Sequence, residues 1–345
     1  MKYRSILLFC SLISSTLFAA SFDKRDAVQE LVQKLEAIDP NIKTHQDDWS
    51  KVRAHLEQAA QQSESTAGLK LSVQHILDQW GGLHFRVLDH DDAQFWALNG
   101  EPLALPNAWF SQRGSKWIIQ YSGNPKLNRG NSVAAKDFSP YSKDAQAKAK
   151  WELALQTKVM SEPKATSVSL TKQPLSEWAL SLTQSSSATV IVDSKRVCIE
   201  KVWFWLTKAV AQNIASKIDS KTTLCQGVVL DLRDVFGEGL DVWPKLSGKM
   251  PFAVLTNHST REGAVSLVRV LKQDAKARIF GEPTEASNAL QKKEPLQKSG
   301  WALIVVGEGD PVVPDTVIKD SYLNAEGVDD VRESGLGWLR KELIK

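Results

Sequence analysis

The sequence predicts an α/β layer fold in its C-terminal half, preceded by a small helical domain and a β-rich middle module. Three observations carry this expectation. From Ala188 onward, strand-like apolar runs alternate with segments of helical periodicity, the pattern of helices laid on a sheet. Near the N-terminus, apolar residues recur at i, i+3, i+4 and i+7. Between these regions, short aromatic runs are separated by Gly, Pro and Asn turns.

The chain opens with Lys2 and Arg4, the apolar run Ile6 to Ile13, and small residues up to Ala20. That order is a secretory signal peptide cut after Ala20, and the run is too short to span a membrane. Cys10 lies within it, without a lipoprotein cleavage site beside it. The mature protein is therefore expected outside the cytoplasm, in the periplasm. Residues 21–82 then read as a helical domain. Val28, Leu31, Val32 and Leu35 mark a first helix capped by Ser21 or Asp23, and Asp39-Pro40-Asn41 breaks it. Trp49, Val52 and Leu56 mark a second helix, Leu69, Val73, Ile76, Leu77 and Trp80 a third, and Gly81-Gly82 ends the domain.

Residues 83–187 form the middle module. Phe95 to Leu98, Trp109-Phe110 and Trp117 to Tyr121 read as strands, Ala145 to Lys158 as a helix, and Ser161 to Ser187 as a polar, Ser-rich stretch. Residues 188–345 form the α/β core. Strands are expected at Ala188 to Val192, Arg196 to Ile199, Gly227 to Arg233, Pro251 to Thr256, Arg278 to Phe280 and Ala302 to Val306. Trp203, Leu206, Val210, Ile214 and Ile218 trace one helical stripe, and Ala264, Leu267, Val268 and Leu271 trace another.

With 42% hydrophobic and 24% charged residues, the 345-residue chain can bury large cores. Removal of Lys2 and Arg4 takes the formal charge from +3 to +1, which gives no net attraction to nucleic acid. Lys143, Lys148 and Lys150, spaced among alanines, fit a solvated helix face. No Walker loop, dinucleotide fingerprint or zinc-cysteine cluster occurs, so no cofactor is implied. Asp89-His90-Asp91-Asp92 could hold a metal, but four polar residues after a strand are more simply a turn. Cys198 and Cys225 lie in or beside strand-like runs, and either a disulfide or two buried thiols fits. Most of the twelve tryptophans fit core positions, while Trp109, Trp117 and Trp243 stand near polar turns where they could line a groove.

Several short motifs in order resemble the tail-specific, or carboxyl-terminal processing, serine peptidases, a family that includes tricorn-like proteases and interphotoreceptor retinoid-binding protein. The matching segments are Gly227-Val-Val-Leu-Asp-Leu-Arg233, Val254-Leu-Thr-Asn257, Lys276-Ala277 with Gly281-Glu-Pro-Thr284, and Pro314-Asp315 before a C-terminal helix. Leu83-His84-Phe-Arg-Val87 is similar to the family's segment ending in Asp-x-His, with Gly82 in place of the Asp. The resemblance implies a crotonase-like (ClpP/crotonase spiral) core, with the middle module where the family has its peptide-binding PDZ-like domain. It also implies a nucleophilic Ser after the strand ending at Thr256 and a general-base Lys after Gly-Glu-Pro-Thr. Aligned without gaps from Thr260 to Gly281, the Ser position holds Glu262 and the Lys position holds Ser287; a one-residue gap would bring Arg261 to the Ser position. The oxyanion-type glycines implied by the resemblance are Gly237 and Gly239.

A Ser-Lys mechanism needs a neutral amine within hydrogen-bond reach of the hydroxyl, and Ser287 cannot supply one. Lys292 and Lys293 are the next amines, and five or six residues of extended chain carry them roughly 20 Å away. A carboxylate at position 262 would oppose a developing oxyanion. Ser259-Thr-Arg-Glu262 also fits a capping box, with Ser259 as N-cap and Glu262 reaching back to its amide, and that reading is favoured over a catalytic one. The sequence thus points to an exported protein with the peptidase fold that binds a peptide or protein partner in the former substrate cleft. Two alternatives stand beside it. One is an active serine peptidase with a displaced constellation, in which His84 serves as base for Ser259, Thr260 or Ser287. The other is a carrier of an apolar ligand.

Overall fold

The structure, a computed structural model, describes residues 22–345 apart from 81–83, 114–115, 124–126, 128–130, 134–139, 142–150, 157–163, 220–224, 239–249, 274–275 and 321–327. The expected leader, Gly81-Gly82, the three spaced lysines, Gly239 and Trp243 lie outside the described residues.

Four helices come first: α1 (Lys24–Ile38), α2 (Asn41–Thr44), α3 (Gln46–Gln62) and α4 (Thr66–Asp78). Asp23 caps α1 by accepting from the amides of Arg25 and Asp26, and Ser65 caps α4 through the amide of Gly68. The break at Asp39 is a built turn, since its buried carboxylate accepts from the amide of Asn41 and from Trp80 Nε1. The apolar stripes of α1, α3 and α4 close on one another and on Phe85, Val87, Leu303 and Val305, so the helices cover one face of a small sheet.

That sheet begins with β1 (His84–Leu88). Then come α5 (Ala93–Asn99), β2 (Leu103–Leu105), β3 (Ala108–Arg113), β4 (Lys116–Ser122), β5 (Ser132–Val133), β6 (Trp151–Gln156), β7 (Lys164–Val168), β8 (Thr171–Gln173) and α6 (Leu175–Ser186). Strands β3 to β7 form an antiparallel meander, and β2 pairs with β8. Three expectations change here. Phe95 to Leu98 is helical, ended by Gly100 at φ 71 with its amide on Trp96 O; a four-residue apolar run does not reveal its own period. Within the expected helix Ala145 to Lys158, residues Trp151 to Gln156 form a strand paired with β7. The Ser-rich stretch contains α6, whose buried Leu175, Trp178, Ala179 and Leu182 have helical spacing that its serines mask.

The remaining elements are β9 (Ala188–Val192), β10 (Lys195–Lys201), β11 (Trp205–Leu206), α7 (Lys208–Asp219), β12 (Gly227–Asp231), β13 (Phe236–Gly237), β14 (Phe252–Thr256), α8 (Gly263–Lys272), β15 (Ala277–Gly281), β16 (Ser287–Leu296), β17 (Trp301–Glu308), β18 (Thr316–Val317) and α9 (Asp330–Ile344). They build a six-stranded sheet in the order β18-β15-β14-β12-β10-β9, parallel except for β9. β14 is buried at every position, as a parallel strand covered on both faces must be. Val331 and Leu339 of α9 close one face against Val229, Ala253, Leu255 and Phe280. Val210 and Ile214 of α7 and Ala264 to Leu271 of α8 join the core on the other. The expected stripe from Trp203 to Ile218 is interrupted: Phe204 sits at φ 42, β11 pairs with β13, and the helix begins only at Lys208. The result is a mixed α/β fold with an N-terminal helical region.

Two long hairpin strands, β16 and β17, add β1 to form the order β1-β17-β16. This carries residues 84–88 to the strands that follow β15. Cys198 and Cys225 are joined by a disulfide, with Cα atoms 5.7 Å apart. Trp109 is core: it stacks on Phe204 with ring centroids 4.5 Å apart, which removes it from any groove.

Candidate functional site: a charged cleft over the strand-to-helix turn

The chain leaves β14 through a turn fixed by side chains. Asn257 Oδ1 accepts the amides of Asp234 and Ser259, while Thr260 Oγ donates to Leu232 O and accepts from the Asn257 amide. At the end of this turn Glu262 stands at φ 57, ψ −128, a conformation costly for any residue with a Cβ. Sharp strand-to-helix turns of this kind present a nucleophile in hydrolases. The strain persists because the surroundings are tight. A Cβ on Gly263 would run into the carbonyl of Glu238, and one on Gly237 would lie 2.8 Å from the amide nitrogen of Ala264. Gly237 therefore lets β13 lie against the first turn of α8.

This geometry corrects the capping expectation. Helix α8 begins at Gly263, one residue after Glu262, and no side chain caps it by a hydrogen bond. Ser259 lies in the preceding turn with its amide on Asn257 Oδ1. The Glu262 carboxylate turns away from the helix and into a charged cluster.

Glu262 is 1% exposed. Its Oε1 accepts from Arg86 Nη1 and from Gln94 Nε2, each at 2.7 Å, and its Oε2 accepts from Gln94 Nε2 at 2.8 Å. The second terminal nitrogen of Arg86 bonds Glu285. Gln94 Oε1 in turn accepts from Arg261 Nη2 at 3.1 Å and from Arg86 Nη1 at 3.4 Å. One amide thus holds the Glu262 carboxylate on one side and two guanidinium groups on the other. Arg261 is half-buried, with its guanidinium carbon 5.6 Å from the centre of the Phe236 ring. Its Nε is enclosed and has no hydrogen-bond partner. Burial, followed by repulsion from Arg86, pulls its pKa below the ordinary arginine value.

Ser287, at the start of β16, is fully buried, and its Oγ accepts the Glu262 amide at 2.8 Å. The two positions that the ungapped alignment assigns to nucleophile and base therefore do meet, as a backbone amide and a hydroxyl. Among the described residues no lysine amine bonds the Ser287 hydroxyl. Lys292 pairs with Glu294, and Lys293 bonds Leu98 O and the side chain of Asn99. His84 is exposed on β1, two residues from Arg86 and on the same face. Among the described residues no hydrogen bond links it to Ser259, Thr260 or Ser287. Asp89 and Asp92 both pair with Lys70, at 2.8 and 3.0 Å, which gives the Asp-His-Asp-Asp segment a structural role as a turn.

Lys70, His84, Arg86, Asp92, Arg261 and Glu285 line a cleft of about 670 Å³, and Glu262, Gln94 and Ser287 are buried behind them. One wall is the outer edge of β1 with Lys70, Leu71 and Gln74 of α4, and the floor includes Arg86, Arg261, Glu285 and Ala286. Beneath the turn lies a second charged cluster. Arg233, 2% exposed, pairs with Asp231 at 2.7 Å, Asp329 at 2.8 Å and Asp320 at 3.2 Å, and Lys201 adds a second cation on Asp231 at 2.9 Å. Burial pushes the Asp231 carboxyl up, but Arg233 and Lys201 outweigh it and hold it well below the usual carboxylate range. Burial dominates at Asp320 and raises it. Asn257 bonds both Asp234 and Asp320, which ties this cluster to the turn above. The Asp-Leu-Arg and Gly-Glu-Pro-Thr segments thus serve as braces. At Gly281, φ 116 and contact with Thr256 O exclude any side chain.

Sequence reasoning singled out His84, Glu262 and Ser287 but missed Arg86, Gln94 and Glu285 as their partners. Arg86 was legible in part, because it shares a strand face with His84. Gln94 was not, since it stands just before the run Phe95 to Leu98, which reads as a strand, and only the helix α5 aims it at Glu262.

Fold and site together define an α/β protein with a strained strand-to-helix turn beside a cleft and a buried, salt-bridged carboxylate at the strained residue. No family model matches the sequence, and no curated protein matches it. Among solved structures, the chain is similar to the photosystem II D1 C-terminal processing protease, at 14% identity and TM-score 0.42 over 88% of this chain and 96% of that one. It is also similar to the tricorn protease, at 11% identity and TM-score 0.49, with 93% of this chain covering 37% of that larger one. A lipoprotein from Streptococcus agalactiae is similar at 11% identity and TM-score 0.43, over 92% and 96% of the two chains. Two of these three are carboxyl-terminal processing or tricorn-type proteases.

Proposed function

We propose that this is an exported protein of protease-like fold that lacks peptidase activity and binds a peptide or protein chain in the cleft over Arg86 and Arg261. One observation carries the reading: the position that the motif alignment gives to the nucleophile holds Glu262, buried and bridged to Arg86 and Gln94, and the position it gives to the base holds Ser287, whose hydroxyl accepts the Glu262 amide. Acyl transfer needs a nucleophile, a base and donors aimed at a developing negative charge. The Glu262 carboxylate accepts hydrogen bonds and donates none, so it offers a developing negative charge no stabilisation. The cleft beside it sets the charged Lys70, Arg86, Arg261 and Glu285 beside the apolar Leu71 and Val306, a mixture that suits a ligand with both polar and apolar groups, such as a peptide.

The test pairs hydrolysis with binding. Unstructured casein is expected to remain intact on long incubation, and Glu262→Ser alone is expected to leave it intact, because position 287 offers no amine. Peptides are expected to bind the unmodified protein and to bind more weakly to a variant with Leu71→Trp, which narrows the cleft mouth. Hydrolysis by the purified protein that disappears in Ser287→Ala would overturn the reading in favour of a displaced serine centre.

A further inference from the structure

We propose that the outer edge of β9 is a self-association surface, and that its occupant is β9 of a second copy of this chain, paired antiparallel about a two-fold axis at Val190.

Strand β9 ends the six-stranded sheet, and among the described residues no strand lies beyond it. Its pairing with β10 fixes which backbone groups face outward. Arg196 stands opposite Ile191 and turns its own amide and carbonyl away from β9, toward the side chain and amide of Gln226. In an antiparallel ladder the two residues of such a pair point their groups in opposite directions, so the amide and carbonyl of Ile191 face the open edge. Two residues back, Thr189 does the same. Val190 lies midway between them. The strand is bounded by the end of α6 at Ser186 and by the turn at Asp193, so one register uses the whole edge. In it Thr189 of each copy stands opposite Ile191 of the other, each pair exchanging both of its hydrogen bonds, and the two Val190 residues meet at the axis.

The side chains at this edge suit that partner. Edge strands are ordinarily protected by charge, by Pro or by a covering element. From Ala188 to Val192 there is neither a charged residue nor a proline, and Ala188, Thr189 and Ile191 are exposed. Val190 and Val192 are half-buried on the α9 side of the sheet, while Ile191 points to the other side and is 65% exposed. Arg340 of α9 reaches Asp193 at 3.1 Å, and Ile344, 68% exposed, follows one turn further along the same side of that helix. Apolar side chains thus flank the edge on both faces of the sheet. Across the axis Val190 packs on Val190 and Ile191 on Thr189, β-branched pairs that favour strand pairing, and Asp193 comes opposite Ser187, so no like charges meet. The other open edge of this sheet, β18, spans only Thr316–Val317, too short to receive β9 head to tail. The pairing therefore closes as a dimer. A stable interface buries about 800 Å² per partner; a five-residue strand flanked by Ile344 covers less, so the dimer is weak and depends on concentration.

Sedimentation velocity of the mature protein between about 1 and 500 µM tests the pairing. The mass is expected to rise from that of one chain toward twice that value, with no larger species. Ile191→Lys should keep the circular dichroism of the unmodified protein and stay monomeric throughout, and Ile191→Val should still dimerise. Cysteines report the register. Val190→Cys sets the two thiols in a pair with Cα atoms about 4.5 Å apart, within disulfide reach, so mild oxidation is expected to give a covalent dimer on a non-reducing gel. Ile191→Cys, whose mate lies on the diagonal about 7–8 Å away, is expected to give none. Unmodified protein that is monomeric at every concentration overturns the proposal. So does a dimer that survives Ile191→Lys and is not cross-linked through Val190→Cys, since another surface then forms it. Should Ile191→Lys fail to fold, the two cysteine variants decide.

Discussion

At the scale of single residues, Glu262 combines backbone strain with a buried ion pair. Glycine tolerates φ 57, ψ −128 without a Cβ, whereas alanine does not. Both substitutions remove the carboxylate from Arg86, a loss of about 3 kcal/mol for one side of a buried pair. Glu262→Gly should therefore be the more stable of the two by about 1 kcal/mol, the strain relieved outweighing the extra chain entropy of glycine. Urea unfolding of both variants measures the difference; an alanine variant as stable as glycine would mean that the turn relaxes and stores no strain. The same residue shows where sequence reading stops. The motif alignment singled out positions 262 and 287, and the structure brings them into contact through the Glu262 amide and the Ser287 hydroxyl. The role of Glu262 did not follow, because Ser-x-x-Glu reads as a cap, and the partners that override the cap, Arg86 and Gln94, lie 176 and 168 residues away in sequence.

At the scale of elements, β1 shows how a sheet edge is closed. It forms one edge of its sheet, where unpaired backbone groups invite another strand. The Gln74 side chain of α4 occupies that edge: its Oε1 accepts the Val87 amide at 2.9 Å and its Nε2 donates to Phe85 O at 2.8 Å. The carboxamide thus copies the donor and acceptor of a neighbouring strand. Gln74→Leu keeps similar bulk but removes the partner of both backbone groups at a part-buried edge, at a cost of about 1–3 kcal/mol. The midpoint of urea unfolding should fall with an unchanged slope, and hydrogen exchange should quicken at the Val87 amide; an unmoved midpoint would show that water replaces the amide freely. Elements with a long regular period were legible from sequence: the stripes of α1, α3 and α4, and the apolar runs of β12, β14 and β15. Short elements were not. α5 has four apolar residues in a row, and β6 alternates over only six, so tertiary partners decide their form.

At the scale of the whole molecule, the cluster around Arg233 joins β12, the segment before α9 and, through Asn257, the turn that holds Glu262. It links the sheet, the C-terminal helix and the cleft floor, so its titration should be felt by the fold as a unit. The two shifted carboxyls act in opposite directions. Asp231 is lowered, so its contribution is complete above the unfolded value of about 3.9 and is lost as the pH falls below that toward its folded value. Asp320 is raised, so its carboxylate is disfavoured in the fold and taking up a proton on the way down adds stability. Asp231→Asn removes the first effect and leaves the second. At neutral pH the variant should be less stable by about 3 kcal/mol, since Arg233 and Lys201 both lose a charged partner in a buried site. The gap between it and the unmodified protein should hold down to about pH 4 and narrow below it, because protonation then removes the same carboxylate from the unmodified protein. Thermal unfolding of both proteins between pH 7 and about 3 follows the gap directly. A gap that stays constant across that range would mean that Asp231 does not carry the acid sensitivity of the fold.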